Sequence, residues 1–322
     1  MRTFFVSKPC RIYARRGVVS VATEDGERVD VTPALYDQLV VATRAASISS
    51  AALLLLAQQG VDVVLVGPRG IPAARLHPPV INKTVETRLA QYAAALNGKG
   101  LEAAKSIVEA KVRNQAALLR YAAKSRREEW PAVEAERLLE VADSVRASKP
   151  DPLELRELEA AAARVYWQAV AKLLPPELGF RGRDPAADDP FNMALNYGYG
   201  ILYARCERAL VLVGLDPYAG FMHTLKSGRQ ALTYDFAEQF RQAAVDKPLV
   251  FSTPKLEVAG GGLSRESRRG VADLVLAALS KPHAHGASKA PLDQIILRKA
   301  AELASFLRGS SPAYAGFRVR FW

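Results

Sequence analysis

The sequence predicts an α+β protein in which a small β-rich N-terminal domain precedes a larger, all-α domain. Short β-branched and aromatic runs dominate residues 1–78, whereas residues 79–322 are rich in Ala, Leu, Glu, Lys and Arg, with apolar residues three and four apart. Hydrophobic residues make up 49% of the 322 residues, which is enough for a full core. Because the strands come first and the helices after, we do not expect an alternating doubly wound sheet.

The N-terminal domain is predicted from turns between short apolar runs. The predicted strands cover residues 3–6, 11–13, 18–22, 28–31, 39–43 and 61–66. Gly17 and the dipeptide Asp25-Gly26 interrupt them, and Asp-Gly is a strong hairpin signal. Serines at the start and Gly60 at the end predict one helix over 47–60. Four prolines between Pro68 and Pro79 indicate a linker, which sets the domain boundary near residue 78.

The second domain is predicted to be helical throughout. The predicted helices cover residues 84–96, 101–125, 131–146, 153–174, 191–213, 234–244, 264–278 and 292–307. We expect Gly260 to Gly262 to form a flexible loop, and we expect His77, His283 and His285 to lie in solvated loops. Tyr166, Tyr197 and Tyr199 are expected to pack in the core, and Gly198 is expected to allow close helix packing.

Charge and composition exclude several classes of protein. The chain carries 44 Lys and Arg against 33 Asp and Glu, which gives a net charge of +11. So basic a composition most often accompanies nucleic-acid binding. Ribosomal proteins, membrane-surface proteins and merely soluble proteins can share it. Two cysteines, Cys10 and Cys206, cannot form a disulfide framework and suit a reducing cytoplasm. The longest apolar run, 51–57, is shorter than the roughly 20 residues of a membrane span, so we expect no membrane partner. No phosphate-binding glycine loop of the Walker or Rossmann type is present, so no nucleotide cofactor is expected.

Two carboxylates three residues apart mark one candidate site. Asp235 and Glu238 share a helix face, whereas Phe236 and Phe240 would face the core. Adjacent carboxylates repel each other, so a bound cation is one reason for the pattern. The alternative is a solvated acidic face with Arg241 as its salt-bridge partner.

Two other segments carry candidate ligands. Glu159 lies on a predicted helix, and His223 precedes the Asp235 segment. If the three segments converge, carboxylate oxygens and one imidazole would suit Mg²⁺ or Mn²⁺. A structural zinc site is not expected, since no thiolate is nearby. Taken singly, each of these residues could instead be an ordinary solvated or packed side chain.

Four ordered blocks carry the strongest family signal: 158–167, 192–203, 214–223 and 232–241. Together they resemble the CRISPR-associated protein one family, the integrase of spacer acquisition. Block 158–167 resembles the family's glutamate helix, except that Ala160 replaces the usual glycine. Weaker similarities occur at Gln91, in the A-K-x-x-N-Q pattern of 110–115, and in residues 314–322.

The resemblance implies a function and a set of site residues. Glu159, His223 and Glu238 would be the metal ligands, with Asp235 as a further ligand or nearby acid, and Lys226 would hold a phosphate. The N-terminal domain would contribute to a homodimer, the helical domain would be catalytic, and CRISPR-associated protein two would be a partner.

The basic residues around this site are candidates for contacts with DNA phosphates. They are Lys226, Arg229, Arg241, Arg265, Arg268 and Arg269, with a further basic stretch over 120–127.

We therefore expect a metal-dependent DNA endonuclease or integrase that inserts short DNA fragments into a CRISPR repeat array by attack of a 3′-hydroxyl on a phosphodiester. Two alternatives remain open: a non-catalytic DNA-binding scaffold, and a stand-alone nuclease that uses the same site on branched DNA in repair.

Overall fold

A computed structural model describes residues 3–67, 72–76, 85–149, 151–222, 228–252, 255–285 and 288–321. The chain divides into two compact units, Met1–Ile81 and Asn82–Trp322. A β-rich N-terminal region followed by helices confirms the predicted fold class. Among the described residues, no helix combines the length and apolar character needed to cross a membrane.

The N-terminal unit contains two four-stranded sheets and one helix. Its elements are β1 (Thr3–Val6), β2 (Cys10–Arg15), β3 (Val18–Thr23), β4 (Arg28–Val31), β5 (Gln38–Val41), β6 (Ala46–Ile48), α1 (Ser50–Gln58), β7 (Asp62–Val66) and β8 (Pro72–Leu76). One sheet has the order β1-β5-β7-β8 and the other β4-β3-β2-β6. Helix α1 packs on β2, β3 and β7, and Ile12, Ala52 and Leu56 are buried in the core between them.

A tight turn sets the register of β2 and β3. Arg15 pairs with Val18, which leaves a two-residue loop of Arg16 and Gly17. Both residues have positive φ, 48° and 79°, as the favoured right-twisting hairpin turn requires.

Two sequence predictions for this unit were wrong in part. The predicted helix over 47–60 begins only at Ser50, capped by the Ser49 side chain, because residues 46–48 pair with β2 as a short strand. Part of the predicted linker is also a strand, since β8 pairs antiparallel with β7. Its proline is tolerated because it lies at the first position of a strand at the sheet edge.

The second unit is built from helices. They are α2 (Val85–Leu96), α3 (Lys99–Arg126), α4 (Trp130–Ala147), α5 (Pro152–Leu173), α6 (Pro190–Leu212), α7 (Ala231–Ala237), α8 (Lys247–Ser252), α9 (Arg265–Ser280) and α10 (Leu292–Arg308). Asp151 and Asp189 cap the starts of α5 and α6, each followed by a proline at the first helical position. The long helix α3 contacts α2, α4, α5 and α10, so it forms the centre of the unit.

Two hairpins replace predicted loops. Gly260 and Gly261 form the turn between β9 (Val258–Ala259) and β10 (Gly262–Leu263), and Gly262 is the first residue of β10. His283 lies in β11 (Pro282–His285), which pairs with β12 (Ser288–Pro291), so the prediction that His283 and His285 lie in a loop was wrong. His77 lies outside the described residues.

The predicted helix over 234–244 is divided into three segments. Helix α7 ends at Ala237, Glu238–Phe240 forms a 3₁₀ turn, and Gln242–Asp246 forms a π turn that leads into α8. Asp246 accepts hydrogen bonds from Tyr166 (2.8 Å) and Tyr199 (2.6 Å), which ties this segment to α5 and α6. Short π segments within helices are often found at functional sites.

Candidate active site

A buried lysine joins two of the predicted carboxylates. Lys111 on α3 places its Nζ 2.6 Å from Glu159 Oε1 on α5 and 2.7 Å from Glu238 Oε2 on the 3₁₀ turn. The side chains of Glu159 and Glu238 are only 18% and 3% exposed. Glu159 and Glu238, which are far apart in the sequence, therefore contact the same ammonium group. For these two residues, the segments come together as the sequence analysis predicted.

Lys111 remains charged in this environment. Burial alone would lower the pKa of its ammonium group, but Glu159 and Glu238 stabilise the charged form and raise the pKa above its ordinary value. The sequence analysis noted the A-K-x-x-N-Q pattern but gave Lys111 no role. The signal that could have identified it is a lysine on an apolar, largely buried helix, since such a charge needs an acidic partner.

Arg241 forms an ion pair with Glu238. Its Nη2 is 2.9 Å from Glu238 Oε1, and its guanidinium lies over the rings of Tyr199 (4.6 Å) and Tyr203 (5.6 Å). Burial opposes the charge of Arg241, but Glu238 and the two tyrosines outweigh it and raise the pKa of the guanidinium. The guanidinium is therefore engaged in holding Glu238. The salt bridge predicted under the alternative of a solvated acidic face is present, but Asp235 and Glu238 are buried, so that face is not solvated.

Asp235 holds the backbone of the segment that leads to His223. Its Oδ2 accepts hydrogen bonds from the N–H groups of Phe221 (2.8 Å) and Met222 (3.0 Å). A Cβ at Gly220 would lie 2.7 Å from both this carboxylate and Ala231, so only glycine fits there without a shift. Since Oδ2 already accepts two N–H groups, its contacts support a positioning role for Asp235.

Two further side chains fix the same segment. Gln91 on α2 donates to the carbonyls of Asp216 and Ala219 and accepts from the N–H of Asp216, each at 2.8 Å. Arg156, one turn before Glu159 on α5, donates to the Met222 carbonyl at 2.7 Å. The backbone next to His223 is thus held beside α5. His223 and Lys226 themselves lie outside the described residues.

The C-terminal segment is anchored against the site by two amides. Asn114 on α3 donates to the carbonyls of Gln239 (2.8 Å) and Phe317 (2.9 Å) and accepts from the N–H of Val319 (2.8 Å). Gln239, next to Glu238, accepts from the N–H of Phe317 at 2.7 Å. Residues 314–319 therefore support the turn that carries Glu238, a role that sequence reasoning missed.

The remaining predicted DNA-contacting arginines lie on α9 and just before α7. Arg265 and Arg269 are exposed on the first turns of α9 and Arg268 is half-buried there, whereas Arg229 is exposed beside the ring of Tyr234. Within the basic stretch 120–127, Arg120 pairs with Glu136 and Arg126 donates to the Leu173 carbonyl. Because Arg229, Arg265 and Arg269 are exposed, a polyanion such as DNA can reach them.

The core predictions for this unit are confirmed. Tyr166, Tyr197 and Tyr199 are buried, as are Phe236 and Phe240. A Cβ at Gly198 would lie 2.7 Å from Val245, which confirms close packing at that glycine.

The donor set suits a hard cation. No cluster of three or more His, Cys, Asp or Glu side chains occurs within the described ranges. The Glu159 and Glu238 carboxylates nevertheless already share one cation, the Lys111 ammonium. Carboxylate oxygens are the ligands that Mg²⁺ and Mn²⁺ prefer, so the residues present fit the expected metal.

Metal ions assist catalysis in phosphatases, polymerases and nucleases. The chain belongs to the CRISPR-associated protein Cas1 family, whose model matches residues 4–261. It is 44% identical over 300 residues to the CRISPR-associated endonuclease Cas1 of Hyperthermus butylicus, covering 88% of this chain and 89% of that protein. The predicted family resemblance is confirmed.

Two solved structures share the fold. A casposase bound to integration product has a TM-score of 0.85 at 22% identity, covering 98% of this chain and 93% of the casposase. A Cas6-RT-Cas1–Cas2 complex contains a chain with a TM-score of 0.78 at 20% identity, covering 98% of this chain and 36% of that chain. At these identities the likeness concerns the fold.

Proposed function

We propose that this protein is a metal-dependent DNA endonuclease and integrase of CRISPR adaptation. The observation that carries the proposal is the meeting of Glu159 and Glu238 on one cation, in a chain of the Cas1 family. A 3′-hydroxyl of a short DNA fragment attacks a phosphodiester at the border of a repeat. A new P–O bond forms, the bond to the leaving 3′-oxygen breaks, and the proton of the attacking hydroxyl is passed on to the leaving oxygen or to solvent.

Glu159, His223 and Glu238 would hold Mg²⁺ or Mn²⁺. When bound, such an ion polarises the phosphoryl oxygen and stabilises charge on the attacking and leaving oxygens. Arg241 holds the Glu238 carboxylate in place, and Asp235 holds the backbone before His223. With such an ion bound, the Lys111 ammonium would no longer be the cation that joins Glu159 and Glu238.

DNA and protein partners follow from the same proposal. The net charge of +11 and the exposed arginines of α9 favour duplex DNA, both the incoming fragment and the repeat. The relatedness to a Cas1 chain in a complex with Cas2 supports CRISPR-associated protein two as a partner. We also propose a homodimer formed partly through residues 1–78, and a cytoplasmic location.

The test is strand transfer into a leader–repeat DNA. Alanine at Glu159, His223 or Glu238 should abolish Mn²⁺-dependent transfer while DNA binding persists. Glu157→Ala is the matched control, because Glu157 is an exposed carboxylate on the same helix as Glu159. Full activity in the Glu159 or Glu238 variant would overturn the proposed role of that residue. Branched DNA offered beside the leader–repeat substrate tests the repair-nuclease alternative, which predicts preferential cleavage of the branched substrate.

A further inference from the structure

A buried carboxylate that is not among the proposed metal ligands lies close to the site. Asp246 ends the π turn and is fully buried. Its Oδ1 accepts a hydrogen bond from the Tyr199 hydroxyl at 2.6 Å, and its Oδ2 accepts one from the Tyr166 hydroxyl at 2.8 Å. The Gln242 amide donates a longer bond to Oδ2, at 3.3 Å. Because burying an ionised carboxylate is costly, a compensating positive charge is expected nearby.

Arg241 supplies that positive charge. The Arg241 guanidinium and the Asp246 carboxylate each stabilise the charged form of the other. Tyr199 contacts both groups, because its ring centroid lies 4.6 Å from the guanidinium carbon and its hydroxyl donates to Asp246. Arg241 also pairs with Glu238 at 2.9 Å. One buried cation therefore serves two carboxylates, and only Glu238 is a proposed metal ligand.

These contacts form a closed network around the site. The contacts that lead from Glu159 back to its own helix pass, in order, through Lys111, Glu238, Arg241, Tyr199, Asp246 and Tyr166. Glu159 and Tyr166 both belong to α5, seven positions or about 10 Å apart along its axis. Because the network is closed, each member is held from two sides, and the position of Glu238 depends on Asp246.

The charges of this network leave one negative charge in excess. The three carboxylates of Glu159, Glu238 and Asp246 are matched by two cations, Lys111 and Arg241. Burial raises the pKa of Asp246, but the two tyrosine hydroxyls and the charge of Arg241 oppose this rise and favour the carboxylate. Without Asp246 the charge of Arg241 would act on Glu238 alone and the network would be neutral. Neutral surroundings attract a divalent cation more weakly than negative ones do.

We propose that Asp246 is a positioning residue for the metal site: by sharing the charge of Arg241, it allows this arginine to orient Glu238 without neutralising it. The inference rests on the proposed function, because it takes Glu238 as a ligand of the divalent ion. Asp246 is not itself a ligand, since both of its oxygens already accept hydrogen bonds from tyrosine hydroxyls. Its loss should therefore weaken metal binding while every ligand remains in the protein.

The experiment measures Mn²⁺ binding directly, by the electron paramagnetic resonance signal of the free ion, so it does not depend on activity. Asp246→Asn removes one charge and keeps the size of the side chain. Its Kd for Mn²⁺ should rise about 10- to 100-fold, the usual effect of replacing a group that supports metal ligands. Asp293→Asn is the matched control, because Asp293 is also a buried carboxylate of the helical unit, paired with Arg205, and should keep the wild-type Kd.

A more conservative variant tests the hydrogen bond to Asp246. Tyr199→Phe keeps the ring against Arg241 and removes only the hydroxyl that donates to Asp246. It should raise the Kd for Mn²⁺, but less than Asp246→Asn does, since the carboxylate remains. Tyr197→Phe makes the same change at another buried tyrosine of α6 and should bind Mn²⁺ like the wild type. This pair tests the inference even where Asp246→Asn does not fold, which circular dichroism detects.

A double-mutant cycle separates charge sharing from loss of packing. If Asp246 acts by balancing Arg241, Asp246→Asn should have little further effect on the Kd in an Arg241→Met background. A purely structural role instead predicts the same loss of Mn²⁺ affinity in both backgrounds.

Any of three results would overturn the inference. They are a wild-type Kd in folded Asp246→Asn protein, equal Kd values for Tyr199→Phe and Tyr197→Phe, and equal effects of Asp246→Asn with and without Arg241. The proposed function is tested separately, since it requires that the wild type binds Mn²⁺ and that Glu238→Ala binds it far more weakly. A wild type that does not bind Mn²⁺ would overturn both proposals, whereas a wild-type Kd in Asp246→Asn would overturn this inference alone.

Discussion

Lys111 provides the sharpest test of the site. In Lys111→Met, Glu159 and Glu238 lose the ammonium that joins them, and Glu238 is only 3% exposed. Removing one partner of a buried ion pair costs about 3–5 kcal/mol, because the remaining charges are left unpaired in a poorly solvated place. Arg241 still neutralises Glu238 in part, so we expect the lower end of that range.

Thermal unfolding followed by circular dichroism measures this cost. In a unit of this size 1 kcal/mol corresponds to about 2–4 °C, so a cost near 3 kcal/mol should make Lys111→Met unfold about 6–12 °C below the wild type in EDTA. Mn²⁺ should then protect the variant more than the wild type, because no ammonium competes for the carboxylates. A metal at a hundred times its Kd would contribute about 2.7 kcal/mol.

Two controls separate charge pairing from loss of packing. Lys124→Met alters an exposed lysine of the same helix and should leave the unfolding temperature within about 2 °C of wild type. Adding Glu159→Gln and Glu238→Gln to Lys111→Met should restore much of the lost stability, since the uncompensated charges disappear. The reasoning is refuted if Lys111→Met and wild type unfold at the same temperature in EDTA.

Two further predictions concern the surroundings of the site. Gly220→Ala should lower the free energy of unfolding by about 1–3 kcal/mol, because its Cβ would meet Ala231 and Asp235 at 2.7 Å. Urea unfolding measures this loss. The control is Gly270→Ala within α9, where an added Cβ would have no neighbour within 4 Å, so this variant should be neutral or slightly stabilised. His283 has its pKa lowered from 6.5 to about 4, so the unfolded chain takes up its proton first as the pH falls. The wild type should therefore lose about 1–2 kcal/mol relative to His283→Gln between pH 6.5 and 4, after allowance for solvent screening, and parallel stability–pH curves for the two proteins would contradict this.

Local sequence patterns determined much of the fold. Short β-branched and aromatic runs predicted six strands of the N-terminal unit that the structure contains, β1 to β5 and β7. Helical periodicity predicted α2 to α6, α9 and α10 within a few residues. In the structure, the side chains of Asp151 and Asp189 cap the starts of α5 and α6. These features depend on interactions between residues close in the chain, which is why a sequence reveals them.

Motif and spacing also identified part of the site. The family blocks pointed to Glu159 and Glu238, and the structure brings these two carboxylates together. The three-residue spacing of Asp235 and Glu238 suggested a shared role. Their contacts instead differ, because Asp235 holds a loop backbone while Glu238 joins Lys111 and Arg241.

Tertiary structure alone decided what surrounds these acids. Lys111 reaches carboxylates 48 and 127 positions away in sequence, and no local pattern specifies such a contact. The division of residues 231–246 into α, 3₁₀ and π segments follows from long-range bonds, such as those of Asp246 to Tyr166 and Tyr199. Strand β8, predicted as linker, forms because β7 offers it an edge to pair with. A sequence specifies such charge pairs and strand pairings only through the complete packing of the chain.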